Sequence, residues 1–125
     1  MEWKSFFLVF FGGGMGSVLR FGLGKWLNPL SAHFYWGTLT ANGLSCLVLG
    51  ALAGLLFQKN LSQWSLFFWM IGFCGGFSTF STFALELFKL QEQSLMHSVL
   101  YMSLSLFVGL GMLLLGMILV QWWFK

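Results

Sequence analysis

Residues 72–83 read GFCGGFSTFSTF, and this stretch concentrates the groups able to contact an ion. Ser78, Thr79, Ser81 and Thr82 supply hydroxyls directly behind the pair Gly75-Gly76. Phe80 and Phe83 stand three residues apart and project from one face. A phenyl ring is negative on its face and positive at its edge. A cation therefore seeks the face, and an anion seeks the edge with hydroxyls and amides donating beside it. In a chain with sixteen phenylalanines, core packing is the plain alternative for any two of them. Their setting among four hydroxyls, next to a glycine pair, points to ion contact.

The glycine pair lies near the middle of residues 60–85, which carry no charge. The reading is a helix broken near 75–79. Non-helical backbone at membrane depth survives only where protein or a water-filled cavity surrounds it. Unwinding frees carbonyl oxygens, hard ligands suited to Na⁺, and broken helices are a recurring way to build such sites. An inverted second copy would bring its own break to the same depth, so that two sets of carbonyls share one cation.

Other polar residues fall at depth. Thr38, Thr40, Asn42 and Ser45 lie in one apolar run, and Tyr101, Ser103 and Ser105 in another. Tyr101 and Ser105 share a face at i,i+4. Serine and threonine can bond back to their own helix carbonyls. The Asn42 amide cannot be satisfied so locally, which leaves an interhelical hydrogen bond or an ion contact. Arg20 is the one cation within a span, roughly 6 Å of helix from the Gly24 end. It reads either as a snorkelling anchor or as a vestibule charge that gathers anions.

Several chemistries are disfavoured. Glu2, Glu86 and Glu92, the only acids, all fall near the ends of runs. A small exporter that trades protons for cationic drugs wants a carboxylate at mid-span. No nucleophile–base pair and no metal-ligand constellation is visible, so an enzyme is not expected. Cys46 and Cys74 lie inside spans and read as packing residues. The net charge of +3 comes from scattered cations, which argues against nucleic acid and against a polybasic lipid patch.

The elements that carry these groups follow from hydrophobicity. The 125 residues are 58% hydrophobic and 7% charged, against about 25% charged in soluble domains. Mean hydropathy is +0.86. At about 20 apolar residues per crossing, the uncharged runs predict an all-α membrane protein: one domain over 1–125 with helices near 4–27, 35–57, 63–89 and 94–124. Trp3, Trp26, Trp36, Trp64 and Trp122-Trp123 fall at the ends of these runs, where indole prefers the headgroup level. Asn28-Pro29 marks a turn. The first apolar run reads as a helix in its own right, not as a cleaved signal. Glycines at 12–14 and 16, at 50 and 54, and at 109, 111 and 116 indicate close helix packing.

Orientation is balanced. Lys4, Lys59 and Lys125 fall on one side, and Arg20, Lys25 and Lys89 on the other. Positive charge normally marks the cytoplasmic side. An even split predicts insertion both ways up and an antiparallel dimer, unless another factor sets the topology of so sparsely charged a chain.

Three stretches together resemble the motifs of the Fluc fluoride channels, also called CrcB proteins. They are GGGMGSVLRF (12–21), GTLTAN (37–42) and GFCGGFSTFSTF (72–83), in the order of that family. The resemblance covers the whole chain. It implies a dual-topology antiparallel homodimer with two fluoride pores. It implies a structural Na⁺ at the dimer interface, held by backbone oxygens of Gly75 and Ser78. Ser78 stands where the family often has threonine, a change that a backbone ligand tolerates. The resemblance makes Phe80, Ser81, Thr82 and Phe83 pore residues together with Asn42, puts Tyr101 and Ser105 on a polar track, and makes Arg20 the vestibule cation. The implied activity is passive, selective export of fluoride across a bacterial plasma (inner) membrane, among lipids. A negative-inside potential drives an anion outward by about 2.3 kcal/mol per 100 mV, and conduction needs sites weak enough to leave. The alternatives are a small dual-topology multidrug or cation exporter and a non-conducting membrane assembly subunit.

Overall fold

The computed structural model describes residues 2–125. Four stretches are long and apolar enough to cross a membrane: Trp3–Leu30, Trp36–Phe57, Gln63–Gln93 and Leu95–Trp123. Helix α1 covers Trp3–Leu27 and passes into a 3₁₀ turn over Asn28–Leu30. Pro29 lacks an N–H, so an α-helix cannot continue normally there. The freed Asn28 side chain is then used: its Oδ1 accepts the Gly37 N–H at 2.7 Å. That bond ties the end of α1 to the start of α2 (Trp36–Phe57).

The third crossing is assembled from pieces. Ser62 Oγ accepts the Ser65 N–H and caps the short α3 (Gln63–Ser65). A π-helical stretch, Leu66–Cys74, follows, then α4 (Gly75–Phe77). Ser78 has extended backbone, φ −80° and ψ 156°. Helix α5 resumes at Ser81 and runs to Gln93. Hydrophobicity alone puts its end near residue 89, but Lys89 does not stop it. Leu90 is fully buried, packed with Leu39 and Tyr101, and this apolar anchor carries the helix one turn further. Helix α6 spans Leu95–Trp123.

Two glycine seams set the packing. On α1, a methyl group at Gly16 would overlap the Phe73 carbonyl and the Phe77 amide; at Gly12 it would overlap the Phe68 carbonyl. From the opposite side, Gly76 lies against the Gly13 carbonyl and Gly72 against Val9. The other seam joins α2 and α6, where Gly50 faces the Leu113 carbonyl and Gly116 the Leu47 carbonyl. Without a hydrophobic driving force between helices in lipid, such backbone proximity supplies the van der Waals contact.

The interior is small. One buried cluster holds Ala41, Leu52, Phe73, Cys74 and Phe77; a second holds Leu39, Leu90 and Tyr101. Large apolar side chains instead cover the outside, Phe10 and Phe107 among them, as suits a chain whose solvent is hydrocarbon.

Candidate functional site

The site forms where three elements meet the non-helical segment 78–80. In an α-helix each carbonyl accepts the N–H four residues on. Once Ser78 leaves helical geometry, several main-chain groups must find other partners. The Gly76 carbonyl receives Arg20 Nε from α1 at 3.0 Å and Ser17 Oγ at 3.5 Å. The Cys74 carbonyl keeps its helical partner, the Ser78 N–H, at 3.0 Å and also receives Ser45 Oγ from α2 at 3.1 Å and Ser78 Oγ at 2.8 Å.

Asn42 does more. Its Oδ1 accepts the Thr79 N–H at 2.8 Å and its Nδ2 donates to the Thr79 carbonyl at 3.3 Å. One primary amide thus serves both the donor and the acceptor of a single residue. Of the two readings open to Asn42, the interhelical bond is realised. Thr79 Oγ1 accepts the Thr82 N–H at 3.3 Å and caps the start of α5.

Two open cavities flank this segment, and Thr79 lines both. The larger, ≈ 420 Å³, is lined by Asn42, Cys46, Ser78, Phe80, Phe83 and Ser105 together with leucines of α6. The smaller, ≈ 350 Å³, gathers Arg20, Lys25, Thr38, Thr82 and Glu86. The residues singled out from sequence are therefore divided. Asn42, Phe80, Phe83 and Ser105 share one cavity; Arg20 and Thr82 share the other. Ser81 is exposed, and Gly75 lies on the outer surface with open space beside it.

Tyr101 lines neither. It is fully buried, and its hydroxyl donates to Glu86 Oε2 at 2.7 Å. Thr38 Oγ1 donates to the other oxygen, Oε1, at 2.6 Å. This corrects the placement of Glu86 near a helix end. Because α5 runs to Gln93, Glu86 lies about two turns inside it, 5% exposed. Glu86 is the functional candidate that sequence reasoning missed. The signal available was its company: a hydroxyl at Thr38 and a phenol at Tyr101, each at depth and each without an obvious partner.

The ring of Phe83 connects the two groups. Its centroid lies 5.4 Å from Tyr101 and 6.2 Å from Phe80, the latter pair inclined at 55°. In the larger cavity, Ser105 Oγ is buried and has no hydrogen-bond partner. A hydroxyl with a free donor, beside phenyl rings and away from any carboxylate, is chemistry for an anion. Lys25 sits 5.5 Å over the Phe21 ring at the smaller cavity, adding a second cation beside Arg20. Among the described residues there is no group of three or more His, Cys, Asp or Glu able to hold a metal ion.

Comparison with known proteins gives a consistent result. Residues 7–117 match the family described as CrcB-like protein, Camphor Resistance (CrcB). A protein of Nitrobacter winogradskyi named fluoride-specific ion channel FluC is 40% identical over 127 residues, covering 97% of this chain and 98% of its own length. The FluC of Serratia proteamaculans is 43% identical over 123 residues, 95% of each chain. That of Azobacteroides pseudotrichonymphae is 40% identical over 121 residues, 94% of this chain and 97% of the relative.

Proposed function

The chain belongs to the CrcB family, and we propose from that membership that it is a multi-pass membrane channel selective for fluoride and not an enzyme. The observation that carries this reading is the donor set of the larger cavity: the unpartnered Ser105 hydroxyl beside Phe80 and Phe83, with no carboxylate in the lining. Neutral donors and ring edges replace part of the water around a small anion without holding it as a buried lysine would. Arg20 and Lys25 raise the local anion concentration at the smaller cavity. The channel is passive, and the membrane potential drives export from the cytoplasm through the plasma (inner) membrane of a bacterium.

The finer architecture belongs to the same reading. The 78–80 segment is a working break in the third crossing, and two chains inserted in opposite senses form an antiparallel homodimer within the lipid. The balance of three cations on each side supports dual insertion. The main chain also fits a structural Na⁺. The Thr79 N–H, the helical partner of the Gly75 carbonyl, is taken by Asn42, and the Thr82 N–H, the helical partner of the Ser78 carbonyl, is taken by Thr79 Oγ1. Both carbonyl oxygens are hard donors of the kind that suits Na⁺, and Gly75 is exposed on the face where a second copy would dock. The ion would contribute cross-linking of the two breaks and no chemistry of its own.

A buried Glu86 removes one argument against a proton-coupled exporter. Thr38 and Tyr101 nevertheless occupy both its oxygens, and the relatives matched are named as fluoride channels. The test is efflux from liposomes holding the purified protein, read with a fluoride electrode. Rapid fluoride release with chloride retained is the expected result. Equal release of both ions, or none, would remove the reading.

A further inference from the structure

His33 and His97 lie 64 residues apart in sequence and meet at the end of the bundle where α1 leads into α2 and α5 into α6. Their ring centres are 5.0 Å apart and the planes differ by 20°. His33 is exposed on the 31–35 connection, and His97 lies in the first turn of α6. Neither takes part in the cavities around Thr79.

Two details orient the pair. His33 Nδ1 lies 3.1 Å from Gln93 Oε1. An amide oxygen only accepts, so Nδ1 carries the proton and the lone pair of His33 resides on Nε2. Histidines that bind metals are held in this way, with the second nitrogen donating to a carbonyl or carboxylate. His97 Nδ1 is buried and has no hydrogen-bond partner. A buried polar atom without a partner costs about 1–3 kcal/mol, and a coordinated cation removes that penalty.

We propose that His33 and His97 form a two-histidine seat for a transition-metal dication of the zinc or copper class, with water completing the coordination. Imidazole selects these ions over magnesium and calcium, which favour oxygen ligands. Nitrogens sharing one Zn²⁺ each lie about 2.0–2.1 Å from it, hence no more than about 4.2 Å from each other. The rings are stacked with centres 5.0 Å apart, and both would turn about their side-chain torsions to bring His33 Nε2 and His97 Nδ1 to that separation. The exposed His33 and Gln93 leave a path of entry from water. His97 lies one turn before Tyr101 on α6, and Phe34, next to His33, packs edge-on against the Tyr101 ring at 4.9 Å. A bound ion would therefore pin the 31–35 connection to α6, whose Tyr101 donates to Glu86.

Tag-free protein in detergent, titrated with Cu²⁺ and read by electron paramagnetic resonance, tests the seat. The expected result is one copper per chain with coupling to two imidazole nitrogens. His33→Ala and His97→Gln should each abolish that two-nitrogen signal. Gln93→Ala should weaken binding about tenfold, since it removes only the orienting partner. His33→Ala changes an exposed side chain, so it decides the matter even if substitution at His97 unfolds the bundle. Copper binding unchanged in His33→Ala, or a wild-type signal without nitrogen coupling, overturns the proposal. No fluoride enters the measurement, so its failure leaves the channel reading untouched.

Discussion

Asn42 and Thr79 exchange two hydrogen bonds between α2 and the third crossing, at 2.8 and 3.3 Å. The contact restores, with one side chain, the pairing that Thr79 loses outside a helix. Asn42→Ala should leave both main-chain groups of Thr79 unpaired and destabilise the protein by about 1–3 kcal/mol. Asn42→Asp keeps the acceptor for the Thr79 N–H but puts a carboxylate into the larger cavity. That variant should fold and conduct fluoride poorly. Unfolding curves in mixed micelles, beside efflux assays, separate the two effects.

Phe80 and Phe83 should part company in the same pair of assays. Phe80 is 79% exposed, whereas Phe83 packs against Tyr101. Replacing either by isoleucine removes a ring edge from the larger cavity and should abolish efflux. Phe83→Ile should also cost stability, about 0.5–1.5 kcal/mol for the lost aromatic pair. Phe80→Ile should cost less, because Phe80 is exposed and its ring meets only Phe83, at 6.2 Å. Full fluoride flux through both variants would remove the ring edges from the mechanism.

Thr38 and Tyr101 both donate to Glu86, so their contributions should not add. Thr38→Val and Tyr101→Phe each delete one donor to the same carboxyl group. Residues sharing a network typically show coupling of about 0.5–3 kcal/mol in a double-mutant cycle. Stabilities of the two single variants and the double variant should reveal it. Simple additivity would mean that the two hydroxyls act independently of Glu86.

The glycine seams give a contrast within one residue type. Alanine at Gly16, Gly50, Gly76 or Gly116 puts a methyl into a facing backbone, which cannot yield as a side chain would. Overpacking of this kind costs about 1–3 kcal/mol. Alanine at Gly22 or Gly111 meets nothing within 4 Å and should be near neutral. Heat-induced loss of the folded form, followed by size-exclusion chromatography, ranks the six variants.

What could be read in advance was set by solvent and residue type. Long uncharged runs have few alternatives to crossing helices, and Asn42 declared a need for a partner because its amide has no local one. The identity of that partner was hidden, since Thr79 became available only when Ser78 left the helix. Glu86 was misjudged for a related reason. A carboxylate followed by Lys89 and Glu92 looks like the wet end of a helix. Burial of Leu90 against Leu39 and Tyr101, a tertiary effect, carries α5 onward and draws Glu86 inside. The pairing of His33 with His97 likewise depends on which helix ends converge.

Sodium should matter to assembly more than to ion contact. The Gly75 and Ser78 carbonyls lose their helical donors to Asn42 and Thr79, so a cation between two inverted copies has oxygens waiting on both. Replacing Na⁺ by a bulky organic cation should reduce fluoride flux and shift the protein towards monomer in cross-linking or chromatography. Ser78→Thr keeps the carbonyl and should preserve the sodium response. A dimer and a flux both indifferent to sodium would mean that these oxygens serve only their own chain.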